Sequence, residues 1–242
     1  MFDRFIFGTM RLDKLGLESS AGLVAHMLGR GLRNFHSSQE YASYGLFTEV
    51  LKRACEAAGL DPHALNHMVK LASPHFGETE ISPDAIEAKL QRYQDDLGSA
   101  AIDRVQWMLR ADLKQEPLRH EIFLRDKLKL TQLFDRLKSQ GRVRRVGCFP
   151  YTPSFGALAV ASGCFDFMAD YVNQDETNYK HYAPASGEVR MVAIRPFSAG
   201  GGFGKGRAAA DMLRFALSEP GVDAVVASPG SIMHFDELAQ AL

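Results

Sequence analysis

Two side chains in this sequence have the chemistry for acid-assisted carbonyl reduction: Tyr41, in FHSSQEYASY, and Lys70, in HMVKLAS. A phenol can protonate a carbonyl oxygen, and an ammonium beside it favours phenolate, which lowers the phenol's pKa by roughly one to three units. Each residue lies in or just past a short apolar segment, so the two meet only if those segments are neighbouring strands opening on one mouth. Two other patterns fail on their own terms. AGGGFGKG is like a phosphate-cradling loop, but Ala199 replaces its first glycine and Gly206 its hydroxyl residue. His63 and His67 have the spacing of a helical metal pair, yet Leu65-Asn66 between them reads as a turn and no third ligand follows, so no metal is expected.

The elements that would carry Tyr41 and Lys70 are visible as an alternation. Short runs rich in β-branched and aromatic residues recur between longer segments of helical period, the pattern of a parallel sheet with crossover helices. Strands are expected near Phe5 to Met10, Asn34 to Ser38, Met68 to Ser73, Val105 to Arg110, Val143 to Phe149, Phe167 to Asn173, Arg190 to Phe197 and Ala224 to Ser228. Eight such strands close a (β/α)8 TIM barrel. Ser82-Pro83 and Gly98 bracket one helix, Thr152-Pro153 and Gly163 another. Glu121 to Gln140 places Leu124, Leu128, Leu133, Phe134 and Leu137 on one face. The connection from Asp175 to Glu188 lacks a helical pattern, so one outer helix is expected to be shortened or missing.

With 242 residues, 46% of them hydrophobic, the chain can bury one large core, and residues 1–242 are read as a single domain. A formal charge of −1 argues against nucleic acid as a partner. MFDRFIFGTMRLDK has no basic region followed by a long apolar run, and no uninterrupted apolar stretch reaches about eighteen residues, so a membrane is not expected as a partner either. Cys55, Cys148 and Cys164 form no CxxC pair and suit reduced thiols in a cytoplasmic protein. Trp107 sits in a buried strand pattern and reads as core.

In a barrel of this kind the residues just past the C-terminal strand ends line the site. Here they include His36, Tyr41, Lys70, His75, Arg110, Phe149, Tyr151, Asn173, Gln174 and Arg195, followed by SAGGGFGKGR and SPGS, which makes the expected mouth cationic.

The order of these pieces resembles the aldo-keto reductase family over nearly the whole chain. FIFGTMRL resembles its opening strand, FHSSQEYASYG its Asp-to-Tyr segment and HMVKLAS its lysine strand. GRVRRVGCF is similar to its strand-five signature, VNQDETNY to its glutamine strand, VRMVAIRPFSAGG to the strand and loop that fold over the cofactor, and DAVVASPGS to its last strand and phosphate loop. The resemblance implies an oxidoreductase that reduces an aldehyde or ketone, a small-molecule carbonyl substrate, with NADP as cofactor or, alternatively, NAD. It also implies a monomer or at most a weak homo-oligomer.

Carried over residue by residue, the family's Asp, Tyr, Lys and His set keeps Tyr41 and Lys70 but has His36 in place of the aspartate and Arg110 in place of the histidine. His36 cannot anchor an ammonium as a carboxylate does, so Lys70 needs another anion, with Glu40 and Asp103 as candidates. Arg110 keeps its charge and could polarise a carbonyl or hold a carboxylate, which points to an anionic substrate or an impaired enzyme. On the cofactor side, Phe149-Pro150 replaces the family's Ser-Asn, while Gln174 remains for the nicotinamide carboxamide and Arg195 or Phe197 takes the aromatic stacking position. The loop from Ser198 through Gly200 to Lys205 is expected to wrap the pyrophosphate, and Gly230-Ser231 to meet the adenosine phosphate at the last helix. The alternative is a barrel without catalysis that uses the cationic mouth to bind an anionic metabolite or a protein partner.

Overall fold

Parallel strands buried on both faces leave their backbone edges unpaired unless the sheet closes on itself. The computed structural model, which describes residues 2–183 and 189–242, has that closure. Strands β1 (Phe5–Gly8), β2 (Asn34–Ser37), β3 (Asn66–Ala72), β4 (Ile102–Met108), β5 (Val143–Cys148), β6 (Phe167–Tyr171), β7 (Arg190–Ile194) and β8 (Val222–Ala227) follow one another around the barrel, and β8 pairs with β1. Around them lie α1 (Leu17–Gly29), α2 (Tyr44–Ala58), α3 (Pro83–Leu97), α4 (Glu116–Ser139), α5 (Pro153–Ala161), α6 (Gly201–Gly204), α7 (Ala209–Ser218) and α8 (Ile232–Ala239). The fold class is the expected (β/α)8 barrel in one domain.

Three strands begin earlier than their apolar pattern suggests, β3 at Asn66, β4 at Ile102 and β8 at Val222. The polar residues that hide these starts find partners at the N-terminal end of the barrel. Asn66 Nδ2 donates to Asn34 Oδ1 at 3.0 Å, and Arg104 Nη1 donates to Asp103. Strand β4 also ends at Met108, so Arg110 lies past the strand and not on it. Between β6 and β7 the described residues hold one 3-10 turn, Asn178–His181; residues 184–188 of that connection, which include Glu188, lie outside the description.

The helix boundaries follow local chemistry. Ser82 Oγ accepts from Ala85 N, with Pro83 in the first turn of α3, and Gly98 ends that helix at φ 59°. Thr152 accepts from Phe155 N at the start of α5. Helix α4 departs from the expectation in its buried face. Leu124 and Leu128 are exposed, and the inward stripe runs through Ile122, Asp126, Leu130, Leu133 and Leu137. The carboxylate of Asp126 breaks the apolar pattern in sequence, but it is fully satisfied inside, accepting from Ile81 N at 3.1 Å and Arg125 Nη2 at 2.7 Å.

The main core fills the space between strands and helices, with Trp107 wholly buried there and its Nε1 donating to Ser73 O at 2.9 Å. A smaller cluster, including Ile6, Met68, Ala72, Met108, Phe167 and Val226, fills the barrel itself. The Phe167 ring occupies the space where a Cβ on Gly147 would stand, so a side chain there is excluded.

Candidate active site

Strand alternation decides which side chains enter the barrel. His36 pairs with Met68, Lys70 with Gln106, and Ala72 with Met108, so these positions share the inward face while Trp107 points out to the helices. Tyr41 comes from the turn after β2, where its N–H donates to Ser38 O at 3.0 Å. Ser43 Oγ ties the same loop to β1 through Thr9 O at 3.0 Å. Tyr93 of α3 joins this loop to the lysine strand, its hydroxyl accepting from Gln39 N and donating to Lys70 O, both at 2.8 Å. The loop of Tyr41 and the strand of Lys70 are thus held together through one buried phenol.

Tyr41 and Lys70 line a cavity of about 770 Å³ at the C-terminal mouth of the barrel, with the Lys70 ammonium 5.0 Å from the centre of the Tyr41 ring and over its face. His36 lies beside them, its ring 6.4 Å from that of Tyr41. The Nε2 of His36 is 3.1 Å from Gln106 Oε1, an atom that can only accept, so Nε2 carries the proton. Burial first and the Lys70 charge second push His36 down to about 3, and it is a neutral imidazole at neutral pH. Burial first and Arg110 second bring Lys70 down to about 8, with Glu40 acting in the opposite sense.

The phenol behaves differently from the expectation. Burial, followed by Tyr93, raises Tyr41 above its ordinary range, and Arg110 offsets only part of this. Desolvation of the phenolate outweighs the nearby cations. Neither proposed substitute anion anchors Lys70. Glu40 pairs with Arg110 and, at 3.3 Å, with His75. Asp103 lies outside this cavity, at the start of β4, where it holds Arg104, Arg144 and Arg145. Among the described residues, no carboxylate lies within 4.0 Å of the Lys70 ammonium.

Arg110 stands at the rim, its Nε donating to Tyr151 Oη at 2.5 Å and its Nη1 to Glu40. The last inward residue of β4 is Met108, and Arg110 reaches the cavity from above it. Tyr151 and Arg195 both line the mouth with left-handed backbones, at φ 66° and 55°. Such conformations cost a non-glycine residue about 1–3 kcal/mol and persist where the surroundings hold them. Arg195 stacks on Tyr171 at 4.3 Å, pairs with Glu176 at 3.3 Å, and keeps a buried Nε without a hydrogen-bond partner.

The expected cofactor residues divide. Arg195, Phe197, Gly200 and Gly230 line the cavity. Gln174, Ser198, Lys205 and Ser231 do not. Gln174 is exposed, and its neighbour Asn173 is the buried residue, donating to Arg195 O at 3.0 Å. Ser198 and Lys205 are drawn to Asp175, at 2.9 and 2.6 Å, and Arg207 joins them on the same carboxylate. Ser231 caps α8, accepting from His234 N at 3.1 Å. The cavity is also lined by residues the sequence reading did not single out, among them Gln106, Arg11, Tyr171, His234 and Glu237. Gln106 had a signal, being a polar residue at the inward alternation of a buried strand. Arg11 had none, since its loop meets the rest of the mouth only in the folded chain.

The residues fit a dinucleotide in part. The cavity extends from Lys70 past Arg195, Phe197 and Arg207 to Gly230 and α8, and the unpartnered Nε of Arg195 is a buried donor on that wall. Arg11 and Arg207 add positive charge suited to phosphates. His63 and His67, in contrast, lie on a 3-10 turn and on β3, and among the described residues no cluster of metal-ligating side chains occurs. Among the same residues no helix is long and apolar enough to cross a membrane.

This arrangement on this barrel defines an aldo-keto-reductase-like protein in fold. An aldo-keto reductase from Bacillus halodurans, solved in its holo form, superimposes with a TM-score of 0.72 at 15% identity, covering 98% of this chain and 86% of that one. A putative aldo-keto reductase from Pseudomonas aeruginosa gives 0.71 at 14% identity, covering 98% and 90%. An aldo/keto reductase from Brucella melitensis gives 0.68 at 14%, covering 99% and 88%. No protein-family model matches the chain. No curated protein matches it by sequence. The likeness is therefore one of three-dimensional structure.

Proposed function

We propose that this protein is a carbonyl reductase, with Tyr41 as the proton donor, Lys70 beside it, and NADPH, or alternatively NADH, as the reductant. The observation that carries this reading is the meeting of Tyr41 and Lys70 in one cavity on a barrel of this type, with the ammonium 5.0 Å from the phenol ring. Arg11, Arg195, Arg207 and Gly230 are the residues that would hold the dinucleotide along the wall toward α8. The nicotinamide, when bound, supplies the hydride.

The chain's own residues bind the carbonyl and manage its proton. Tyr41 stays protonated across the neutral range, because burial disfavours its phenolate. It can therefore donate a hydrogen bond to a carbonyl oxygen at any pH from 6 to about 10, the range below the ordinary phenol pKa. A phenol this reluctant to ionise is a weak general acid, so a modest kcat is expected. His36, neutral and fixed by Gln106, adds no charge beside Lys70. Arg110 is bound to Glu40 and Tyr151, and Arg207 to Asp175, so their charges are already partly balanced and the preference for an anionic substrate falls to Arg11. A cytoplasmic location is part of this reading, supported by three free, buried cysteines.

The raised phenol and the unanchored lysine favour one second reading, a barrel that binds a dinucleotide or another anionic metabolite without turning over. Calorimetric titration with NADPH and NADH, followed by turnover of an aldehyde panel, separates the two. The reductase reading expects NADPH binding and turnover reduced at least about a hundredfold in Tyr41→Phe, the low end of what general acid catalysis contributes. Binding with turnover unaffected by Tyr41→Phe would sink it.

A further inference from the structure

Among the described residues no carboxylate pairs with Lys70, and such a partner is what keeps a lysine inert. Its amine opens into the cavity, faced by His36 from β2, Glu40 and Tyr41 from the loop after β2, Gln106 from β4 and Arg110 from beyond β4. His36 is neutral, Gln106 is neutral, and Tyr41 keeps its proton. Arg110 is a second permanent cation. Glu40, the one carboxylate of this group, is bound to Arg110 and His75 instead. The amine is thus mostly buried, next to a like charge, and still within reach of anything that enters the cavity. That environment disfavours the ammonium and brings Lys70 down to about 8.

We propose that Lys70 is a nucleophilic amine that captures aldehydes and ketones as imines in this cavity. The Nζ lone pair attacks the carbonyl carbon, a C–N bond forms, and the carbonyl π pair moves to oxygen. Proton transfer from nitrogen to that oxygen gives a carbinolamine. Loss of water then leaves the C=N bond, both amine protons departing with the carbonyl oxygen. Nothing is oxidised or reduced, and no co-reactant is needed. The Tyr41 hydroxyl, kept protonated by burial, is the hydrogen-bond donor for the developing oxyanion. Lysines made reactive in this way occur where burial or a second cation lowers the ammonium's stability. Capture needs no nicotinamide, so this inference stands apart from the reductase reading although it uses the same cavity.

The test is reductive alkylation of the whole protein with propionaldehyde and sodium cyanoborohydride, with each lysine's labelling rate followed by peptide mass mapping. At pH 7 about a tenth of a lysine with pKa near 8 is free amine, against roughly four in ten thousand for an ordinary lysine. Lower basicity offsets part of this gain, so Lys70 is expected to react about tenfold faster than a surface lysine, by analogy with the Brønsted slopes of other nucleophiles. The exposed Lys114 and Lys127 are the internal standards. His36→Asp, which returns a carboxylate to the neighbouring position, is expected to remove the excess. Lys70 labelling that is no faster than at Lys114 and Lys127, or an excess unchanged in His36→Asp, would overturn the proposal. The wild-type pH profile decides independently of how that variant folds: a rate that levels off near pH 8 supports the proposal, and one still rising through pH 10 refutes it. Failure of the labelling leaves NADPH turnover untouched, and failure of turnover leaves the labelling untouched.

Discussion

His36 makes the stability of this protein depend on pH as the pH falls below neutrality. In the unfolded chain a histidine titrates near 6.5; in the folded barrel burial and the Lys70 charge hold His36 at about 3. Above pH 6.5 both states carry a neutral imidazole, and its contribution to stability is fully present. As pH falls below 6.5 the unfolded chain takes up a proton that the folded one refuses, so stability is lost until the pH nears 3. Between pH 6.5 and 4 this amounts to about 2.5 pKa units, or about 3 kcal/mol at 1.36 kcal/mol per unit. That is a large share of the 5–15 kcal/mol typical of a domain. His67, buried on β3 and held at about 4, adds to the same slope. The depressed carboxylates Glu116 and Asp126, both near 2, weaken the fold only below about pH 4.5, where their unfolded counterparts begin to protonate. Urea unfolding midpoints from pH 7 to 4 read the effect directly. His36→Gln cannot titrate but can still bond Gln106, and it should flatten the loss over that range by about 3 kcal/mol. An unchanged slope in His36→Gln would refute the picture of an uncharged imidazole beside Lys70.

Other consequences are equally open to measurement. Gly147→Ala places a Cβ 2.3 Å from Phe167 Cε2, so thermal or urea unfolding should reveal a loss of about 1–3 kcal/mol, typical of overpacking, and no loss would mean that the barrel interior repacks freely. Asp175→Asn releases Ser198, Lys205 and Arg207 together, and limited trypsinolysis should cut after Lys205 and Arg207 several times faster than in the wild type.

The barrel was legible because its determinants are local. Ser82-Pro83 and Thr152-Pro153 start helices, Gly98 ends one, and apolar strand segments recur between them, each signal complete within a few residues. Tyr41 and Lys70 were legible for the same reason, as positions at the ends of successive strands. Helix α4 was misread where a buried carboxylate, Asp126, interrupts its inward stripe, and β4 was misplaced where Asp103 pairs with its own neighbour Arg104 and with Arg144 and Arg145 of β5.

The chemical state of the site lay outside any local signal. Sequence alone established which functional groups the strands carry to the mouth. Only the tertiary structure decided that Glu40 turns to Arg110 and His75 and not to Lys70, that Asp175 gathers the loop after β7, and that Tyr41 is held as a phenol. The reason is that a proton's affinity depends on burial and on charges a few ångströms away, and in a closed barrel those neighbours come from strands far apart in the chain.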